Sequence, residues 1–220
     1  MSPLEILSNN RRFIVTGLLV VFSLGFLRLF PESDRLSPIF QNFIVSIVFF
    51  LVIPVLYSKI VLKESLKNLG FQRGNLARGV LAGIVGITVA GAAVVWLASV
   101  FPDFRAQYVF PVLVETSFFW FVLYELVLVT SVTLLYEVFF RGLTMLLWLR
   151  AFGLWSVCIQ TVIFFGFIYL NYDVFWPIAP LLIFAPFAGF IAYRTQSIWY
   201  SFVASWAFLF LTDIFFLVFH

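Results

Sequence analysis

The feature that most constrains this chain is a succession of apolar runs, each about as long as a bilayer is thick, joined by short polar connections. The hydrocarbon core of a bilayer is about 30 Å across, and an α-helix needs about 20 predominantly apolar residues to span it. Runs near 13–30, 39–58, 79–101, 117–149, 154–170, 174–193 and 197–218 fit that length. They predict an all-α, polytopic transmembrane helix bundle of about seven membrane-spanning helices. Only 10% of the residues are charged, against about 25% in a soluble domain. A single core in water would be too small for this much apolar surface. The seven runs use most of the 220 residues, so the expected organisation is one integral membrane domain over 1–220.

The charges between the runs alternate in sign. Arg11 and Arg12 outweigh Glu5 before the first run, and Lys59, Lys63, Lys67, Arg73 and Arg78 outweigh Glu64 between the second and third. Arg141 and Arg150 lie near the turn after the fourth, and Arg194 precedes the seventh. The acids Glu32, Asp34, Asp103, Glu115 and Asp173 lie in the other connections, offset by Arg28, Arg35 and Arg105. The positive-inside tendency then predicts a cytoplasmic N-terminus. The run from Phe13 to Leu27 has no small-residue cleavage site and reads as an uncleaved first helix. Between 59 and 78, Val61, Leu62, Leu66 and Leu69 alternate with lysines, which predicts a short amphipathic helix on the cytoplasmic leaflet, stopped at Gly70. Gly79, Gly83, Gly86 and Gly91 with Ala82, Ala90, Ala92 and Ala93 predict a close-packing face on the third helix. Pro177, Pro180 and Pro186 predict a kinked sixth helix.

Several chemistries are excluded. No basic patch with interleaved aromatics lies outside the apolar runs, so nucleic acid is not an expected partner. Membrane lipid is. One histidine, His220, and one cysteine, Cys158, cannot supply the three or four clustered ligands of a zinc site. No metal or cofactor is expected, and Cys158 reads as a bystander thiol.

A charge at membrane depth costs a few kcal/mol or more and marks a functional candidate. Glu125, Glu137, Arg141 and Asp213 qualify. Glu137 and Arg141 are one helical turn apart and can pair. A lone ion pair of this kind reads equally as structure. Glu125 and Asp213 are the pair that a transport path would use.

The segment Tyr136-Glu137-Val138-Phe139-Phe140-Arg141-Gly142 resembles the first motif of the CAAX protease and bacteriocin-processing (CPBP) family of intramembrane endopeptidases, Glu-Glu, three residues, then Arg. Phe165 to Tyr169 is similar to the second motif, Phe, three residues, His. Ser205 to Leu209 is similar to the third, in which His is followed four residues later by Asn or Asp. Asn68-Leu69-Gly70-Phe71-Gln72-Arg73-Gly74 resembles the family's lead-in to its next helix, and the likeness covers about 60–215.

The resemblance implies a glutamate-activated water with His and Asn at the oxyanion. This sequence departs from it at four positions. Tyr136 replaces the first glutamate, Tyr169 and Ser205 the two histidines, and Leu209 the Asn; Glu137 and Arg141 are retained. A phenol with a pKa near 10 is a poor base at neutral pH, and leucine cannot polarise a carbonyl. At 1.5 Å per residue, Tyr136 and Tyr169 lie about 20 and 24 Å from the cytoplasmic ends of their helices, and Ser205 and Leu209 about 12 and 18 Å. All four can therefore meet near mid-membrane. Tyr136, Tyr169 and Ser205 are expected to point inward, with Asp213 as the partner of Tyr169. The leading expectation is a catalytically impaired pseudoprotease that binds or scaffolds a membrane protein or a lipidated peptide. The alternatives are an endopeptidase with Glu137 as base and Tyr136 or Tyr169 as oxyanion donors, and a small transporter or channel. A chain of one such domain with no organellar transit signal suits the plasma (inner) membrane of a prokaryote.

Overall fold

In lipid every backbone donor and acceptor must be satisfied within the protein, and long helices are how this chain does it. The computed structural model describes residues 3–29, 38–171 and 175–219, and among them every regular element is helical. Glu32, Asp34, Arg35, Asp173 and His220 lie outside the described residues.

Among the described residues seven helices form the bundle: α1 (Pro3–Leu29), α2 (Gln41–Val61), α3 (Leu76–Val100), α4 (Phe118–Leu146), α5 (Trp155–Asn171), α6 (Trp176–Thr195) and α7 (Ile198–Phe219). Six are long and apolar enough to cross a membrane; α5, with 17 residues, is shorter. At 1.5 Å per residue it reaches about 25 Å.

The centre is α6, which packs against α3, α5 and α7. The stripe Gly79, Gly83, Gly86, Ala90, Val94 and Ala98 is buried along α3. A Cβ on Gly79 would lie 2.5 Å from the ring of Tyr200, and one on Gly83 3.5 Å from Ala204. The face is thus a packing surface toward α6 and α7 at Gly79, Gly83 and Gly86, but it does not extend to the whole predicted set: Ala92 is exposed and a Cβ on Gly91 would meet nothing within 4 Å. Of the three prolines, Pro186 alone stands inside α6; Pro177 and Pro180 lie in its first turns.

Two helices widen locally. In α2 the backbone is π-helical at Val48–Val52 and Tyr57–Val61. In α4 it is π-helical at Tyr124–Val129 and again at Glu137–Leu146. Thr130 and Thr144 each donate to the carbonyl five residues back, Glu125 and Phe139, at 2.8 and 3.1 Å. Wide turns of this kind are rare and often mark functional positions.

The polar segment after α2 is more compact than a helix lying on the leaflet. Its one helical turn, Leu66–Leu69, is 3₁₀ and opens on Ser65, whose hydroxyl accepts from Lys67 N at 3.3 Å. Lys67 faces outward, but Leu69 is fully buried and Leu66 packs on the bundle core. Gly70 closes the turn at φ +85°, where a side chain would meet Leu146 and Ile198 within 3 Å. Its carbonyl accepts from Ile198 N at 3.1 Å, and Ser197 Oγ donates to Gln72 O at 2.5 Å. The amphipathic turn therefore buries its leucines against the bundle end, because the α6–α7 corner offers hydrogen-bond partners that lipid cannot.

These contacts bring the start of α1, the end of α2, the 62–74 segment, the end of α4 and the α6–α7 corner to one end of the bundle. Arg12, Lys59, Lys63, Lys67, Arg73, Arg78, Arg150 and Arg194 therefore share that end, with Glu64 as the acid among them. The basic connections of the sequence therefore gather at one end of the folded molecule.

Candidate functional site

Glu137 sits where α4 turns π-helical, and its side chain is 1% exposed. Its carboxylate is met from α7. Ser201 Oγ donates to Oε2 at 2.5 Å and Ser205 Oγ donates to Oε1 at 2.9 Å. Ser201 and Ser205 stand four apart on α7, so one face presents both hydroxyls. Arg141, 4% exposed, approaches from within α4 with Nε at 3.6 Å from Oε1. That is too long for a hydrogen bond but close enough for an ion pair. The guanidinium is also held by Ala185 O, to which Nη2 donates at 3.4 Å, and by the Phe164 ring, 5.5 Å away. The expected Glu137–Arg141 pair is present, and it is buried.

Tyr136, Glu137, Arg141, Ser205 and Leu209 line one cleft, together with Thr133, Leu181 and Phe184. Five of the six motif positions thus converge. The cleft measures about 10 Å³, the lower limit for a single water. The Tyr136 ring is packed among Phe50, Phe140, Phe164 and Phe167, with ring centroids 5.5–6.1 Å away. This aromatic cluster fixes the phenol by packing.

Tyr169 is the exception. It is 85% exposed, so the expectation that it points inward is wrong. The inward face of α5 carries Ser156, Gln160, Phe164, Phe167 and Ile168. At about 100° per residue, Tyr169 falls about 180° round the helix from Gln160. The Phe165–Tyr169 likeness to a second motif therefore has no counterpart at the centre. The polar group that α5 does bring there is Gln160, which is fully buried and donates from Nε2 to Thr161 Oγ1 at 2.7 Å and to Ala185 O at 3.3 Å. Gln160 and Arg141 share that one carbonyl of α6. Sequence reasoning missed Gln160. Its signal was an amide at the middle of an apolar run.

A second polar cluster lies toward the other end. Asp213, 4% exposed, accepts a short hydrogen bond from the Tyr108 hydroxyl, and Glu125, 1% exposed, interacts with the same carboxyl. Tyr108 lies between α3 and α4, just after the short helix Pro102–Gln107. Asp213 is thus the partner of Tyr108, not of Tyr169, because Tyr108 stacks on Phe216 with centroids 4.0 Å apart, three residues beyond Asp213. Burial, then the Asp213 carboxyl, hold the Tyr108 phenol well above its ordinary range, so it stays a donor. Beside the cluster, a pocket of about 160 Å³ opens between α4, α6 and α7. Tyr108, Tyr124, Thr133 and Asp213 are its polar members, and Leu128, Val129, Val132, Leu181 and Leu209 supply the apolar wall. Thr133, Leu181 and Leu209 border both this pocket and the Glu137 cleft. Among the described residues no group of three His, Cys, Asp or Glu is placed to hold a metal ion.

No family model, curated protein or solved structure matches the chain.

Proposed function

We propose that this multi-pass membrane protein is a CPBP-like pseudoprotease that binds a membrane partner, a membrane protein or a lipidated peptide, without cleaving it. One observation carries the reading: each oxygen of the retained Glu137 accepts a hydrogen bond from a serine, Ser201 or Ser205, in a cleft with room for no more than one water. A hydrolytic base needs a lone pair of its own aimed at a positioned water, with room beside it for the scissile carbonyl. Tyr136 and Leu209, at the positions of the family's base and oxyanion groups, supply neither. The neighbouring pocket between α4, α6 and α7 offers an apolar wall with a few hydroxyls, the character of a site that holds an apolar segment. The basic end of the bundle supports a cytoplasmic N-terminus in a plasma (inner) membrane.

The shared cleft of Glu137 and Tyr136 favours a second reading, an endopeptidase with Glu137 as base. Purified protein in nanodiscs, given a fluorescent prenylated peptide, separates the two. Binding without cleavage is expected. Cleavage that disappears in Glu137→Gln would replace the proposal with the endopeptidase.

A further inference from the structure

At the basic end of the bundle, a cavity of about 130 Å³ opens between the start of α1, the segment after α2 and the turn after α4. Its lining places Arg12, Lys67 and Arg150 against one carboxylate, Glu64. Glu64 is already committed: Oε1 accepts from Arg12 Nη1 and Oε2 from Asn68 Nδ2, both at 3.0 Å. Lys67 and Arg150 form no ion pair among the described residues, which leaves two uncompensated cations on the rim. The same cavity is lined by Trp148, whose indole Nε1 is buried and has no acceptor. A buried N–H without a partner costs about 1–3 kcal/mol, a cost that a ligand oxygen would remove. The remaining wall includes the apolar side chains Phe13 and Leu62.

Unspent cations, an orphaned donor and an apolar wall in one recess at the membrane surface select an anion joined to a hydrocarbon chain. Basic recesses between spanning helices recognise lipid headgroups in this way, and guanidinium with ammonium is a phosphate-binding pair. We propose that this cavity binds the phosphate of an anionic glycerophospholipid. Lys67 and Arg150 carry the charge recognition, the Trp148 N–H donates to a phosphate oxygen, and the first acyl carbons lie on Phe13 and Leu62. A free phosphate would satisfy the cations but leave the apolar wall bare.

The test uses the full chain in phosphatidylcholine nanodiscs with and without phosphatidylglycerol. Thermal unfolding is followed, and native mass spectrometry counts retained lipid. Phosphatidylglycerol is expected to raise the unfolding temperature and to be retained. Lys67→Gln with Arg150→Gln should weaken that binding about thirtyfold. Lys59→Gln with Arg73→Gln makes the same charge change at exposed residues outside the cavity and should leave most of it. Trp148→Phe, which keeps a ring and deletes the N–H, should weaken it severalfold. Equal losses in the two double variants would mean diffuse attraction to the surface and would overturn the site. So would no loss in either, or an equal shift from inorganic phosphate added to phosphatidylcholine nanodiscs.

Discussion

Replacing Glu137 by alanine should unfold this protein more readily than any other single change at the cleft. Arg141 would keep its burial, with Ala185 O at 3.4 Å and the Phe164 ring at 5.5 Å beside it. Removing one partner of a buried ion pair leaves the other charge uncompensated, at a cost of about 3–5 kcal/mol. Ser201 would suffer less, since its hydroxyl also reaches Ile198 O at 3.1 Å. Ser205→Ala, by contrast, deletes one bond to a charged acceptor and should cost about 1.5–3 kcal/mol. The decisive variant is Glu137→Ala with Arg141→Met. Buried pairs replaced together by apolar side chains are often neutral or stabilising, so the double variant should recover most of the loss. The assay is equilibrium unfolding in mixed micelles, read by tryptophan fluorescence and arranged as a double-mutant cycle. If the double variant were no more stable than Glu137→Ala alone, Arg141 would not be the charge that Glu137 compensates, and the structural account of the cleft would fail.

Three further outcomes are expected. Gly142→Ala would place a Cβ 2.9 Å from Leu69 O, and such overpacking should cost about 1–3 kcal/mol, with faster protease nicking of the 62–74 segment as the local readout. Tyr169→Ala should change stability by less than about 0.5 kcal/mol and leave peptide binding as it was; a large loss would return Tyr169 to the site. Tyr108→Phe should destabilise the fold by about 1–3 kcal/mol through the loss of its hydrogen bond to Asp213. Because the folded phenol is held above its ordinary value, wild-type stability should be intact below about pH 10 and fall as pH rises beyond it. Tyr108→Phe should remove that alkaline component, which unfolding measured across pH would reveal.

The candidate site was half legible in the chain. Glu137 and Arg141 could be paired from their spacing alone, since a turn of helix puts positions four apart on one face. Ser205 and Leu209 followed from the resemblance to a third motif, supported by their depth, and both line the cleft. Depth, however, is only one coordinate. Tyr169 had a suitable height but the opposite azimuth, and nothing in a run apolar on all sides says which face turns inward. Gln160 and Ser201 were overlooked for the same reason, and the partner of Asp213 came from a connection that no periodicity describes.

What the sequence determined by itself is the solvent and the class of fold. Twenty-residue apolar runs have one stable use in lipid, and their lengths, their flanking charges and the small-residue stripe of α3 can be read without knowing any contact. The tertiary structure decided which polar side chains meet. Ser201 and Ser205 reach Glu137, and Tyr108 reaches Asp213, across more than sixty residues of chain. It also decided that the 62–74 segment docks under the bundle. The physical reason is that helix rotation in an apolar bundle is set by packing: Tyr200 against Gly79, Leu69 against Gly142, and the ring cluster around Tyr136.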